Sequence, residues 1–356
     1  MRKFHSLTVS DKRNETADSM RISLQVPDGL QDEFDFLPGQ HLPIEIDIDG
    51  KPVRRTYSIC SVPGDGLLKL GIRLQTGGLF SGYVAESLQV GDVLQVMPPF
   101  GQFHASIDPA NRKSYLAFAS GSGITPILSI ISATLEQEPG SSFLLFYGNR
   151  RQNTTMFIDD LFALKNRFTG RLQLYFLFTR EEQEYPIFGG RLDAGKTAEL
   201  YETFCSGLAP DEAFICGPDT MISTVRSALG ELGMGDAAIH VERYGAPRRK
   251  PDAPFVEAPV NEHDCEITVI MDGHKKSFCM PSEGTDIVDA AAEQGIELPF
   301  SCKGGVCATC RTHVREGEVR METNYGLEAW EVDKGYVLAC QSHPVTDKVT
   351  LDYDKI

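Results

Sequence analysis

Four cysteines in the C-terminal part of the sequence constrain the fold and chemistry of this chain more than any other feature. Cys302, Cys307 and Cys310 lie in the segment PFSCKGGVCATC, and Cys340 follows further along. A Cys-x4-Cys-x2-Cys trio with a distant fourth cysteine is the spacing of plant-type [2Fe–2S] ferredoxins. Two irons need four thiolates, and one tight loop can supply three of them. The spacing therefore predicts that these cysteines bind a [2Fe–2S] cluster.

Two alternatives to this cluster remain open on the spacing alone, zinc and a chance grouping. Structural zinc sites prefer two short Cys-x2–4-Cys pairs, whereas here a contiguous trio is followed by a lone cysteine. Gly304 and Gly305 favour the cluster, because glycine permits positive φ angles and lets backbone N–H groups approach the sulfur atoms.

Composition argues against several other classes of protein. The formal net charge of −16 is unlike that of a nucleic-acid-binding protein, which would carry a basic face. No apolar run reaches the roughly 18–20 residues of a membrane span, and the N-terminal segment lacks the apolar stretch of a signal peptide. We therefore expect a soluble, cytoplasmic protein. From His263 onward, 17 Asp/Glu face 9 Lys/Arg, which fits either attraction of a basic partner or a merely solvated surface.

The pattern of apolar segments divides the chain into three domains and a linker. Residues 1–110 contain short apolar runs between Gly, Pro and Asp turns, which predicts a small antiparallel β-barrel. Residues 111–244 alternate strand-like and helix-like segments, which predicts an α/β domain with a parallel sheet. Residues 245–262 contain four prolines and are typical of a linker. Residues 263–356 form the third domain, with a hairpin predicted at Asp272-Gly273.

A glycine-rich turn in the α/β domain predicts a dinucleotide site. Gly121-x-Gly123-x-x-Pro126 follows a predicted strand and precedes a helical pattern, with Thr125 as the predicted N-cap and Pro126 at the first helical position. Such a helix N-terminus suits a pyrophosphate, and an ordinary βα turn is the alternative. Gly148-Asn149-Arg150 and Cys216-Gly217-Pro218 end two further predicted strands, where ligands bind in open α/β sheets.

Two motifs in the predicted barrel indicate a flavin site. In Arg55-Thr56-Tyr57-Ser58, an aromatic ring beside a hydroxyl can stack on an isoalloxazine and hydrogen-bond its N5 edge, while Arg55 can hold phosphate. Gly78-Leu79-Phe80-Ser81 opens a predicted helix, so its amides can take the same phosphate group. Taken alone, either motif is equally compatible with an ordinary strand and turn.

Together and in this order, the motifs resemble those of the ferredoxin–NADP reductase-like reductases that carry a C-terminal plant-type ferredoxin domain. The resemblance covers nearly the whole chain. It implies a six-stranded Greek-key barrel that binds FAD, an NAD(P)-binding α/β domain and an α+β ferredoxin domain of the β-grasp type. It also implies flavin contacts at Arg55, Tyr57 and Ser58, a flavin-phosphate clamp from Gly78 to Ser81, a nicotinamide neighbour at Cys216, and flavin-ring neighbours at Glu242, Arg243 and Tyr244.

The resemblance implies an oxidoreductase that takes a hydride from a nicotinamide cofactor onto FAD and passes single electrons out through the cluster. Because the cofactors carry this chemistry, the protein's catalytic groups are expected to act by positioning. We assign that role to Tyr57, Ser58, Cys216 and Glu242. Within the family, the segments LPGQHL, DEAFICGP, METNY and GYVLACQ resemble those of reductases that serve a di-iron oxygenase, and this resemblance implies the same kind of partner.

NADPH is the expected electron donor, mostly on the resemblance, and NADH remains possible. Arg180 is the candidate for binding the 2′-phosphate, but Glu181 and Glu182 follow it directly. Two other functions stay open. The chain could serve another acceptor, such as a steroid hydroxylase or a fatty-acid desaturase, or it could be an iron–sulfur redox sensor without a working flavin site.

Overall fold

Residues 3–244, 264–327 and 329–355 are described by a computed structural model of the chain. They fall into two units, Phe4–Arg243 and a C-terminal unit that begins at Tyr244, and each unit is considered by itself. The linker expected over residues 245–262 lies outside the described residues. None of the described helices is long and apolar enough to cross a bilayer.

Six antiparallel strands enclose the first core of the larger unit. They are β1 (His5–Thr16), β2 (Ser19–Gln25), β3 (His41–Ile48), β4 (Lys51–Ser58), β5 (Leu67–Arg73) and β6 (Val93–Val96). Their order is β4-β3-β6-β1-β2-β5. An antiparallel bridge between Ile59 and Leu70 joins the two ends of this order, so the sheet closes into the expected Greek-key barrel. One α-helix, α1 (Leu79–Glu86), follows β5.

A parallel five-stranded sheet with helices on both faces forms the rest of this unit. Its elements are β7 (Ser114–Ser120), α2 (Ile124–Gln137), β8 (Ser142–Asn149), α3 (Ile158–Arg167), β9 (Leu172–Phe178), α4 (Ala194–Phe204), β10 (Glu212–Cys216), α5 (Asp219–Glu231) and β11 (Ile239–Glu242). Side chains of β7 alternate between the two faces: Tyr115 and Ala117 pack with α2, whereas Leu116 and Phe118 pack with α5. Because both faces of β7 are covered, its residues from 115 to 119 are all apolar or aromatic.

Two local expectations for this domain need correction. Thr125 is not the N-cap of α2 and Pro126 is not its first residue, because the helix begins at Ile124 and Gly123 occupies the cap position. The Thr125 hydroxyl instead donates to the carbonyl oxygen of Ser122 at 3.0 Å. Helix α4 was not predicted, since Thr197 and Leu200 are its only buried residues and its apolar periodicity is weak.

The C-terminal unit is a mixed sheet with a short helix, as expected for a β-grasp domain. Its elements are β12 (Asp264–Met271), β13 (His274–Pro281), α6 (Ile287–Glu293), β14 (Arg311–Glu316), β15 (Val319–Met321), α7 (Ala329–Asp333), β16 (Tyr336–Leu338), β17 (Ser342–Pro344) and β18 (Lys348–Asp352). The main sheet has the order β13-β12-β18-β14-β16, with β12 parallel to β18. Asp272 (φ 50°) and Gly273 (φ 74°) form the predicted hairpin turn.

Candidate functional site

The parallel sheet places its first glycine-rich turn at the point where the strand order reverses. Strand β7 is flanked by β8 on one side and β10 on the other. In open α/β sheets, a ligand crevice forms at the carboxyl ends of the two strands at such a point. Those ends carry Gly121–Gly123 after β7 and Cys216-Gly217-Pro218 after β10. The structure therefore brings two of the three predicted nucleotide motifs to one crevice.

The two turns touch through their backbones. A Cβ atom on residue 123 would lie 2.2 Å from the carbonyl oxygen of Cys216, so only glycine fits there. The hydroxyl of buried Tyr147 donates to the carbonyl oxygen of Gly121 at 2.8 Å and holds the first turn in place. Cys216 itself is fully buried in the apolar core. Any contact of Cys216 with a bound nicotinamide therefore depends on its backbone or on a change of its side-chain position.

The next two strands carry exposed arginines at their carboxyl ends. Gly148 and buried Asn149 close β8, and Arg150 and Arg151 follow on the surface. Arg180, just past β9, is also exposed, and its amide donates to the carbonyl oxygen of Arg150 at 3.0 Å. The carboxylate of Glu181 accepts from the amide of Gln152 at 2.9 Å and so has a partner of its own. The sequence did not single out Arg151, which lies on the surface beside the predicted nucleotide residue Arg150.

The predicted flavin motif of the barrel lies at the end of β4. Arg55 is exposed, and its Nη1 donates to the carbonyl oxygen of Arg54 at 2.6 Å. Ser58 is buried, and the Tyr57 ring packs beside Phe80 with ring centroids 5.1 Å apart. Burial raises the pKa of Tyr57 well above its usual value, against a smaller lowering by the charge of Arg55. The phenol is neutral at physiological pH, and its ring is the one aromatic group of the predicted flavin motif.

The second barrel motif forms the N-terminus of α1. Gly78 is the cap residue, and a Cβ atom there would lie 2.6 Å from Oγ of Ser81. That hydroxyl accepts from the amide of Gln75 at 3.1 Å, and Phe80 points into the barrel core with 1% exposure. Leu79 is exposed. The side chains of Phe80 and Ser81 are thus engaged within the protein, and the motif can offer a phosphate its backbone amides.

One hydrogen bond between the barrel and the parallel sheet was not anticipated. Nδ1 of His41 lies 3.0 Å from Oε1 of Glu242, and both side chains are largely buried. Arg243, the next residue, forms an ion pair with Asp219 at the start of α5. Tyr244 is 44% exposed. The sequence singled out Glu242 but gave no sign that its carboxylate has a histidine partner.

Arg73 was also missed. It lies at the end of β5, forms an ion pair with Asp18, and its Nη2 donates to the carbonyl oxygen of Thr154 at 3.1 Å. A Cβ atom on Gly121 would lie 3.9 Å from the same nitrogen. A cation of the barrel therefore lies beside the predicted nucleotide turn, a proximity that the sequence alone does not reveal.

The cysteine loop of the C-terminal unit turns backbone amides toward sulfur. The amides of Gly304 and Cys307 donate to Sγ of Cys302 at 3.3 Å and 3.4 Å, and the Cys302 amide donates to Sγ of Cys307 at 3.4 Å. Positive φ angles occur at Lys303 and Gly305. The expectation of a positive φ at Gly304 is wrong, because Gly304 contributes its amide while the residues on either side make the turn.

The four thiols form two pairs, Cys302 with Cys307 and Cys310 with Cys340. The hydrogen bond from the Cys307 thiol, supported by backbone amides and opposed by burial, lowers the pKa of Cys302 to about 5. The Cys310 thiol likewise lowers the pKa of Cys340. Within the described ranges, no three His, Cys, Asp or Glu side chains gather around a point suited to a single metal ion. Two thiols at each of two points suit a binuclear cluster better than tetrahedral zinc.

Comparison with known proteins identifies the domains of the chain. An oxidoreductase FAD-binding domain model matches residues 6–105, an oxidoreductase NAD-binding domain model matches residues 118–227, and a 2Fe-2S iron-sulfur cluster binding domain model matches residues 269–345. The chain is 42% identical to one of the subunits of 1,2-phenylacetyl-CoA epoxidase from Escherichia coli (strain K12), over 99% of each chain. The chain belongs to the ferredoxin–NADP reductase-like reductases with a C-terminal [2Fe–2S] domain.

Further relatives agree with this membership in the reductase family. The ferredoxin reductase component of 3-ketosteroid-9-alpha-monooxygenase from Rhodococcus rhodochrous is 33% identical over 98% of this chain and 96% of its own. Among solved structures, phthalate dioxygenase reductase has a similar fold, with a TM-score of 0.59, 21% identity and 98% coverage of both chains. The reductase is an NAD(P)H-dependent oxidoreductase that uses FAD, a nicotinamide nucleotide and a [2Fe–2S] cluster.

Proposed function

We propose that this reductase passes electrons from NADPH to the di-iron oxygenase of a phenylacetyl-CoA epoxidase complex, in the cytoplasm, during phenylacetate degradation. The observation that carries the proposal is the 42% identity with a polypeptide of the Escherichia coli epoxidase over 99% of both chains. Identity at this level along the whole length extends to all three domains. The exposed surfaces that meet an acceptor are included in that length.

The nucleotide crevice would bind NADPH through its backbone and its arginines. The turn Gly121–Gly123 lies at the N-terminus of α2 and can hold the pyrophosphate. Arg150 and Arg180 stand together at the carboxyl ends of β8 and β9, where they can pair with the 2′-phosphate. Since Glu181 already accepts from the amide of Gln152, its carboxylate does not have to compete for that arginine pair.

The barrel would bind FAD through the end of β4 and the start of α1. The neutral ring of Tyr57 can stack on the isoalloxazine, and Ser58 can hydrogen-bond its edge. Arg55 and the amides at residues 79–81 can hold the diphosphate. When bound, flavin accepts two electrons with the hydride and the cluster accepts one electron at a time, which makes flavin the converter between NADPH and a one-electron acceptor.

The four cysteines would hold the cluster in two pairs, one pair for each iron. Cys307 also has the hydroxyl of Thr309 3.0 Å from its sulfur. Hydrogen bonds to ligand sulfur stabilise the negative charge of a cluster and raise its reduction potential. Plant-type clusters have potentials of about −400 mV, which is low enough to reduce an oxygenase.

Reconstitution with purified oxygenases tests the acceptor. The reductase is mixed with a phenylacetyl-CoA epoxidase core, NADPH and phenylacetyl-CoA, and the epoxide product is compared with NADPH consumed. The oxygenase of a 3-ketosteroid 9α-monooxygenase serves as the matched alternative acceptor, because its reductase is 33% identical to this chain. Coupled turnover with the epoxidase core supports the proposal. Turnover with the steroid oxygenase alone would overturn it and favour the second acceptor.

A further inference from the structure

The hydrogen bond between His41 and Glu242 joins the barrel to the parallel sheet of the larger unit. His41 is the first residue of β3 in the barrel, and Glu242 is the last residue of β11 in the parallel sheet. Nδ1 of His41 lies 3.0 Å from Oε1 of Glu242, with side-chain exposures of 6% and 14%. A polar contact this well shielded from water holds its geometry better than a surface contact does.

Sheet register connects this contact to both predicted cofactor sites. His41 is the direct partner of Ser58 across β3 and β4. Glu242 is the direct partner of Cys216 across β10 and β11. Strand pairing and this hydrogen bond therefore connect Ser58 to Cys216 through His41 and Glu242. Ser58 is the predicted flavin contact, and Cys216 stands at the predicted nicotinamide position.

The imidazole of His41 has little room to move. The Phe100 ring packs against it edge-on, with ring centroids 4.6 Å apart. The backbones of the same two residues exchange hydrogen bonds of 3.0 Å and 2.9 Å. A Cβ atom on Gly101 would lie 3.0 Å from Cε1 of His41, so the missing side chain makes space for the ring. The carboxylate of Glu242 is thus held by a partner that is itself fixed.

We propose that His41 is a positioning residue for hydride transfer: through Glu242, it sets the distance between the flavin-binding strand β4 and the nicotinamide-binding strand β10. This inference rests on the proposed function of those strands. Reactions that need close approach of two rings lose up to about 100-fold in rate when the groups are displaced by roughly 1 Å. The His41–Glu242 contact is placed to prevent a displacement of that size.

Other contacts keep the two halves joined when this one is removed. Arg21 of β2 forms an ion pair with Asp160 of α3, and Oγ of Ser129 in α2 donates to the carbonyl oxygen of Ser61 at 2.7 Å. Loss of the His41 hydrogen bond should therefore change local spacing more than overall stability. Asp160→Asn offers a matched control, since it removes a polar contact of the same junction away from His41.

The experiment compares four variants with the wild-type holoenzyme: His41→Phe, which keeps a ring without the hydrogen bond; His41→Asn, which keeps a nitrogen near the Nδ1 position; Glu242→Leu, which removes both carboxylate oxygens; and Asp160→Asn. FAD content, melting temperature, NADPH affinity, stopped-flow flavin reduction and the long-wavelength charge-transfer band between nicotinamide and flavin are measured for each. The band reports ring stacking without turnover.

We expect His41→Phe to slow flavin reduction at saturating NADPH by at least about tenfold and to weaken the charge-transfer band, with NADPH affinity within about twofold of wild type. His41→Asn should restore most of both signals, and Asp160→Asn should leave them unchanged. In the His41→Phe/Glu242→Leu double variant, the loss should be no larger than in either single variant.

Two results would overturn the inference: His41→Phe with a normal band and a normal rate, or Asp160→Asn with losses as large as those of His41→Phe. If His41→Phe fails to retain FAD, Glu242→Leu decides in its place, and a normal band and a normal rate in that variant count against the inference. Failure of the wild-type flavin to be reduced by NADPH would instead contradict the proposed function.

Discussion

The carbonyl oxygen of Cys216 lies 2.2 Å from the position that a Cβ atom on residue 123 would occupy. The two residues lie in the adjoining turns of the predicted nucleotide crevice, so any side chain at position 123 must push the two turns apart. We expect Gly123→Ala to destabilise the reductase by roughly 1–3 kcal/mol and to weaken NADPH binding. Thermal unfolding and nucleotide titration measure both effects. Gly170→Ala is the control, because a Cβ there meets nothing within 4 Å.

Arg180 gives a prediction about cofactor choice. If its guanidinium pairs with the 2′-phosphate, Arg180→Ala should lower kcat/KM for NADPH by roughly 10- to 100-fold, the value of a charge-assisted hydrogen bond, and leave NADH almost unaffected. Arg167→Ala, which removes an exposed arginine at the end of α3, should change neither. An equal loss with both nucleotides would remove Arg180 from this role.

The environment of Glu212 leads us to expect a lower free energy of unfolding at acid pH. The pKa of Glu212 is lowered from its usual 4.5 to about 2. The largest cause is the hydrogen bond from His240, and the hydrogen bond from Lys113 adds to it, while burial acts in the opposite direction. Because the folded pKa is depressed, the stabilisation is complete above about pH 4.5 and disappears as the pH falls toward 2.

Urea unfolding at pH 6, 4 and 3 checks this sign. Glu212→Gln should be less stable than wild type by about 1–3 kcal/mol at pH 6, and the difference should shrink as the pH is lowered. Glu202→Gln, at an exposed position of α4, should show no such trend. A difference for Glu212→Gln that is constant with pH would contradict the assignment.

Loss of the Thr309 hydroxyl should shift the reduction potential of the cluster. Its hydroxyl lies 3.0 Å from Sγ of Cys307 and can donate to the ligand sulfur. Thr309→Val should lower the midpoint potential by roughly 40 mV, because the reduced cluster carries more negative charge and loses more from the missing donor. Thr309→Ser keeps the hydroxyl and should stay close to wild type. A redox titration followed by electron paramagnetic resonance measures the shift, and an unchanged potential in the valine variant would contradict it.

Features that depend on neighbouring residues in sequence were predictable. The spacing of Cys302, Cys307 and Cys310 predicted the [2Fe–2S] domain, which the domain model over residues 269–345 confirms. Glycine turns after apolar strands predicted two motifs that the structure brings to one crevice of the parallel sheet. The alternation of apolar segments led to the parallel sheet. In each case the chemistry is carried by a short segment whose local geometry is set by its own residues.

Features that depend on distant residues were not predictable. His41 and Glu242 are separated by 201 positions, and nothing in either segment reveals the other. Arg73 reaches the nucleotide turn only because the barrel packs beside it. Helix α4 was missed because few of its residues are buried, and the φ angle expected at Gly304 was wrong because the loop distributes its turns over Lys303 and Gly305.

The most direct test of the whole account is an anaerobic NADPH titration of the purified reductase, followed by visible absorbance and electron paramagnetic resonance. Flavin takes two electrons and the cluster takes one, so complete reduction should need about 1.5 equivalents of NADPH per chain. Cys340→Ser should lose the cluster signal and need about 1.0, whereas Cys279→Ser, at an exposed cysteine of β13, should match wild type.

We predict bleached flavin absorbance together with the signal of a reduced [2Fe–2S] cluster in the wild-type chain. Wild-type protein that takes up about one equivalent of NADPH or less, and gives no cluster signal, would contradict the claim that electrons pass from flavin to the four cysteines.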